Sequence, residues 1–159
     1  MYSVSVTDRM MYAHTFVFGD GVPFTTGCTS VVTATFEGRE LGPYDVLIDI
    51  LEAQKLLREV MMLYDHKNLD TLAEFQTGGG ADGTSKRNTT VEVMAKAVFD
   101  KLKEALRKHH EENAATDGKG LGTITGMHIK LQETDVASAR YGETNPSGIF
   151  TASSTLGKL

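Results

Sequence analysis

The chain has one cysteine, Cys28, so no disulfide can close within it and no multi-cysteine metal cluster can be built from it. No apolar stretch approaches the roughly 20 residues that span a bilayer. The first residues lack the basic-then-apolar layout of a secretory signal. These absences lead us to expect a cytoplasmic protein with no membrane partner. Long runs of Lys or Arg are missing and the formal net charge is -5, which argues against nucleic acid as a partner. No internal repeat is evident. Gly78, Gly79, Gly80 and Gly83 mark Thr77 to Asn88 as a loop, but no Lys follows Gly83 and no strand precedes the glycines. A phosphate-cradling loop of the P-loop kind is therefore excluded.

What is present describes one domain. The 159 residues are 40% hydrophobic and 23% charged, enough for a sizeable core in an ordinary globular chain. Tyr2, Val4 and Val6 alternate with Ser3, Ser5 and Thr7, the pattern of a half-buried strand, which resumes over Met11 to Phe18. Gly19 to Pro23 reads as a turn, and Ser30 to Phe36, rich in Val and Thr, as a second strand. Ala53, Leu56, Leu57, Val60, Met61 and Tyr64 recur at helical spacing. In a second helix, Val91, Met94, Ala95, Val98, Leu102, Ala105 and Leu106 form the apolar stripe. Thr89 and Glu92 fit a capping box at its start, and Arg107, Lys108 and His109 are placed to close it. A polar connection from Glu111 to Gly120, a third strand over Gly122 to Glu133 and a fourth over Ala137 to Tyr141 complete an α+β domain. This domain takes residues 1–141 and leaves 142–159 as a Gly-, Ser- and Thr-rich tail.

Asp65-His66 at the end of the first helix carries two readings. A His near a helix C-terminus complements the dipole. It is also a proton carrier near neutral pH, and a neighbouring carboxylate favours its charged form. His14 in the first strand and the pair His109-His110 have bland readings of their own, as a hydrogen-bonded sheet histidine and a solvated helix end.

Four short motifs in register resemble the 6-pyruvoyl tetrahydropterin synthase family, which includes the 6-carboxytetrahydropterin synthases. Asp45 to Ile50 is similar to the family's Gly-Met-Val-x-Asp-Phe entry to helix one, and Asp65-His66-Lys67-Asn68-Leu69 to its Asp-His-x-x-Leu. Thr90-Val91-Glu92 looks like its Thr-x-Glu, and Glu133-Thr134 its Glu-Thr near the end of strand three. The resemblance implies a tunnelling fold, four antiparallel strands with two helices on one face, assembled as homo-trimers or hexamers with sites at subunit interfaces. It implies a lyase-type enzyme acting on a pterin or related purine-derived substrate. Glu133 would anchor the ring with support from Thr89, Thr90 and Thr134, and Asp65 and His66 would move protons. A non-catalytic pterin- or purine-binding oligomer is the competing expectation.

The departures concern the metal. The family holds zinc with three histidines, one in strand one and two in a His-Gly-His turn before strand two. Ala13-His14 matches the first, but Thr26-Gly27-Cys28 stands in the turn. Threonine is a poor zinc ligand and a thiolate a good one, so His14 and Cys28 remain as a remnant site and no tightly held cofactor is expected. The family's catalytic cysteine or glutamate has no counterpart in Gly19 to Phe24 except Asp20, a base or a turn residue.

Overall fold

In the computed structural model, residues 1–19, 21–76, 86–117 and 122–149 are described, the side chains of 112–117 excepted. Asp20, most of the Gly-rich loop and the tail beyond Ile149 lie outside the described residues. The elements are β1 (Tyr2–Val17), β2 (Pro23–Gly38), α1 (Ile50–Met61), β3 (Lys67–Asn68), α2 (Val91–Asp117), β4 (Ile124–Gln132) and β5 (Ser138–Thr144). One sheet holds all five strands in the order β3-β1-β2-β4-β5. Four are antiparallel neighbours, as expected. The fifth, β3, is a two-residue strand parallel to β1, with Tyr12 opposite Lys67 and Ala13 opposite Asn68.

β1 and β2 pair without a break from Tyr2 opposite Gly38 to Val17 opposite Pro23. The strand expected to resume at Met11 thus runs on through Thr7 to Met10 without interruption. Side chains alternate between faces along a strand, and the core is carried by the even positions of β1 and β2 and the odd positions of β4. Val6, Met10, Tyr12 and His14 on β1 are buried, with Ser30, Val32, Ala34 and Phe36 on β2 and Met127, Ile129 and Leu131 on β4. The odd positions of β1 and β2 bear hydroxyls that pair across the strands: Ser5 with Thr35 at 2.8 Å, Thr7 with Thr33 at 3.1 Å and Thr15 with Thr25 at 2.9 Å.

α1 packs over β1, and α2 over β4 and β5. The helical spacing read from sequence places its residues correctly: Ala53, Leu56, Leu57, Val60, Met61 and Tyr64 are all buried. α1 begins at Asp49, whose carboxylate accepts from the amides of Leu51 at 2.8 Å and Glu52 at 3.3 Å.

Three boundaries differ from the sequence expectation. The cap of α2 is Thr90, not Thr89. Its hydroxyl accepts from the Val93 amide at 3.3 Å, because the Thr89 hydroxyl is taken by His14. α2 does not stop at His109 but runs to Asp117, through the segment read as a polar connection. His109 faces Glu52 at 3.2 Å on α1. Finally, β5 carries the fold past Tyr141. Ile149 is 5% exposed in the core and its amide donates to Ile124 O at 2.9 Å.

Asp49→Ala should lower unfolding free energy by about 1 kcal/mol, the usual worth of an N-cap. A denaturant midpoint that falls at unchanged slope is the expected result. An unchanged midpoint would mean that the two amides find water equally well.

Candidate active site

Asp65 and His66 lie in the turn after α1. The Asp65 amide donates to Met61 O at 2.8 Å, and the His66 amide to Met11 O at 2.6 Å. His66 takes a φ of 57°, a left-handed conformation that costs a non-glycine residue roughly 1 kcal/mol. This turn delivers Lys67 and Asn68 to the edge of β1. The Asp65 side chain is 11% exposed, against 70% for His66. One Asp65 oxygen accepts from the Met11 amide at 2.9 Å, and the other from Arg58 at 3.1 Å. Arg58 also donates to Arg9 O at 3.3 Å and faces Asp8 at 3.6 Å. The Met11 amide first, and the charges of His66 and Arg58 after it, hold the Asp65 carboxyl below the usual range. Asp65 is thus an ionised anchor between α1 and β1, and His66 is the exposed partner beside it, 3.9 Å away.

A second group forms where β1, β2, β4 and the start of α2 meet. His14 is 4% exposed. Its Nδ1 lies 3.1 Å from Thr89 O and 2.8 Å from Thr89 Oγ1. A carbonyl oxygen can only accept, so Nδ1 carries the proton in the neutral ring and Nε2 presents a lone pair. That Nε2 sits 3.9 Å from Glu133 Oε1. Glu133 immediately follows β4, whose Gln132 is opposite Val31, so the register brings Glu133 beside Ser30 and Cys28. Single ligand atoms of His14, Cys28 and Glu133 all lie within 4.8 Å of one another. The Tyr12 ring meets the His14 ring edge-on at 5.4 Å, and its hydroxyl accepts from Ser30 at 3.1 Å. Burial chiefly, with the Glu133 charge added, pushes the Cys28 thiol up, against a smaller opposing effect of the Tyr12 hydroxyl. Cys28 alone is therefore a protonated thiol near neutrality and no nucleophile.

The remaining expected site residues fall around this cluster. Thr89 is fully buried and orients His14. Thr90 caps α2, and the Thr134 hydroxyl accepts from the Val136 amide at 3.3 Å in the turn between β4 and β5. Thr26 stands opposite His14 and so on the same face, without a strong donor to offer a metal. Sequence reasoning missed Tyr12 and Ser30. It also missed Asn88, whose side-chain amide bonds Val17 N at 3.1 Å and Val17 O at 2.7 Å and ties the approach to α2 onto the end of β1. Asn88 directly precedes the Thr89-Thr90 pair, the one signal that could have marked it.

Cys28 and Tyr12 link the two groups. An open pocket of about 500 Å³ at the sheet edge is lined by Cys28, Tyr12 and His66 together with Gly27, Lys67 and Asn68, but by neither His14 nor Glu133.

A mostly antiparallel sheet backed by two helices, with a buried His beside a half-buried Cys and Glu at one end and an Asp-His turn at its edge, defines an α+β protein with a polar centre. The sequence profile of the 6-pyruvoyl tetrahydropterin synthase family matches residues 4–144, and the chain belongs to that family. Its fold is similar to Caenorhabditis elegans 6-pyruvoyl tetrahydropterin synthase, at 17% identity and a TM-score of 0.61 over 90% of this chain and 96% of that one. A catalytic-residue mutant of the Plasmodium vivax 6-pyruvoyltetrahydropterin synthase aligns at 14% identity and a TM-score of 0.66, over 90% and 98%. The Plasmodium falciparum enzyme aligns at 14% and 0.63, over 90% and 98%. No curated protein sequence matches significantly. Among the described residues no helix is long and apolar enough to cross a membrane.

The zinc that the resemblance implies can be tested against the donors present. Imidazole, thiolate and carboxylate are all zinc ligands, and three protein ligands with one open position is the catalytic pattern. His14, Cys28 and Glu133 meet that requirement, which the count of two remnant donors from sequence did not.

Asp65→Asn should cost about 1 kcal/mol of stability at pH 7. Asp65 is depressed in the folded state, so its contribution is complete above its unfolded value and is lost as pH falls through the folded one. The gap between wild type and variant, measured by denaturant titration, should therefore close on acidification below about pH 4. A gap that is constant with pH would show that the carboxylate charge contributes nothing.

Proposed function

We propose that the protein is a divergent lyase-type enzyme acting on a pterin or related purine-derived substrate, with Asp65 and His66 as its proton-moving pair. Family membership supports the substrate class. The observation that carries catalysis is His66 itself. It is exposed, held at a φ of 57° and placed 3.9 Å from an ionised carboxylate. A mere helix end has no need of a strained histidine where glycine or asparagine would sit at less cost. Asp65 keeps the turn in place, while His66 takes or gives the proton. The polar groups of the Glu133-Thr134 turn are where the heterocycle's polar edge is placed, and Asp20 is retained as a candidate base. Zinc bound at the centre would supply positive charge to polarise a substrate oxygen.

The active unit is proposed to be a homo-trimer or hexamer in the cytoplasm. The pocket beside His66 takes in Cys28 and Tyr12 but neither His14 nor Glu133, and it is open, so a second copy would close the site. The strand edges support this. β5 has no outer neighbour among the described residues, and β3 covers only two positions of β1. Uncapped edges invite pairing with another chain. Exposed Phe18, Val22 and Phe24 lie at the β1–β2 hairpin, with relative exposures of 77%, 63% and 65%.

His66→Asn tolerates the left-handed turn and should keep the fold while lowering turnover of a pterin side chain by about 10²–10⁴-fold. The measurement is single-substrate kinetics across a panel of pterins beside a thermal melt. Equal rates would return His66 to a structural role. Saturable binding without turnover in the wild type would favour the non-catalytic binding oligomer. Light scattering should give three or six times the chain mass, and a monomer mass independent of concentration would remove the shared site.

A further inference from the structure

The Glu133 carboxylate has a claim on it other than a heterocycle. It lies beside a histidine nitrogen whose lone pair faces it and beside the Cys28 thiol. We propose that His14 Nε2, Cys28 Sγ and a Glu133 carboxylate oxygen together bind one divalent zinc-type ion, Glu133 and Cys28 taking the places of two missing histidines. The inference goes beyond the substrate reading and stands without it, since metal affinity is measured with no substrate present.

Three observations carry it. The first is distance. Ligand bonds of about 2.0–2.3 Å in a tetrahedral site put donor atoms roughly 3.3–3.8 Å apart. His14 Nε2 and Glu133 Oε1 are 3.9 Å apart, and the whole trio lies within 4.8 Å, so side-chain adjustments of under an ångström or so close the site. The second is the histidine's tautomer. Thr89 O at 3.1 Å fixes the proton on Nδ1 and leaves Nε2 as the ligand atom, the arrangement in which an outer hydrogen bond orients a metal-binding imidazole. The third is charge. Among the described residues no Lys or Arg is paired with Glu133, whose carboxylate stands against the His14 imidazole and the Cys28 thiol. A cation would supply the positive charge that this carboxylate lacks and release the thiol proton to solvent.

The set of one N, one S and one O donor suits zinc or cobalt(II) over magnesium or calcium, which favour all-oxygen shells. Three protein ligands leave a fourth position open. Glu133 cannot at the same time give both its oxygens to a ring, so metal loading and two-point ring anchoring by this residue exclude each other.

The test uses the full chain in its native assembly. After dialysis against a mild chelator, zinc measured by mass spectrometry is expected near one per subunit. Cobalt(II) exchanged into the site should show a thiolate-to-cobalt charge-transfer band in the near ultraviolet. Cys28→Ser should abolish that band. Glu133→Gln, which keeps the shape, should weaken zinc at least tenfold in a competition titration. Thr89→Val removes the hydroxyl contact to Nδ1 but leaves the backbone carbonyl, and should weaken it by no more than about tenfold. His109→Ala with His110→Ala, away from the cluster, should leave zinc content unchanged. Near-zero zinc together with no cobalt band in the wild type would overturn the site. Stoichiometric zinc that Glu133→Gln leaves equally tight, in a variant with wild-type circular dichroism, would overturn Glu133 as a ligand. Neither result depends on pterin turnover, so failure here leaves the lyase reading to its own kinetics.

Discussion

The pairing of β1 with β2 is the constraint on which the rest of the molecule depends. Its register runs unbroken over both strands, with His14 opposite Thr26 and Tyr12 opposite Cys28. Side chains alternate with a period of two, so a slip of one residue would turn an entire strand inside out. Here it would move His14 and Tyr12 to the hydroxyl-bearing face and break the His14–Thr89 contact. The core enforces the register. Met10, Val32, Ala34 and Phe36 are each no more than 1% exposed on the same face, and burial of side chains of that size is worth about 1.5–3 kcal/mol for each large one. The packing that stabilises the sheet is therefore also what aims the polar centre.

α2 is fastened to that centre from outside the sheet. Thr89 gives its carbonyl and hydroxyl to His14, and Asn88 pairs with both backbone groups of Val17. The start of the helix is thereby held by the end of β1. This explains the displaced cap. A threonine whose hydroxyl is committed to a buried imidazole cannot also serve an amide three residues on, so capping passes to Thr90. Local capping rules and the tertiary contact competed for one hydroxyl, and the buried contact won.

Those cases show what was legible in the sequence. Periodicity found the buried faces of both helices, because burial and helical spacing are the same information. The order of elements and the Asp65-His66 turn were also readable. The length of α2 was not: its last turns, rich in Glu, Ala and Asn, lack an apolar stripe, and their polarity reads equally well as a connection. β3 was invisible because two residues carry no pattern, and it exists only because the His66 turn points them at β1. Glu133 was legible as a candidate through its Glu-Thr motif. Its neighbours were not, since they follow from β4's register against β2, and register is decided by the folded pair of strands.

The loss of two histidines need not leave the centre weaker in the way a count along the sequence suggests. On β2, Cys28 points to the same face as Thr26 and lies diagonal to His14, and Glu133 approaches that point from the next strand. A carboxylate on a neighbouring strand is three-dimensionally as near to His14 as a residue two positions along β2. Conversely, Asp65 and His66 are adjacent in sequence yet do different things. Asp65 is consumed by Met11 and Arg58, whereas His66 is 70% exposed and lines the pocket at the sheet edge. The Asp65 lone pairs hold the fold. The proton-moving group proposed for this turn is thus supported by the same contact that docks α1 onto β1, and a change that loosens that docking would disturb the His66 turn and stability together.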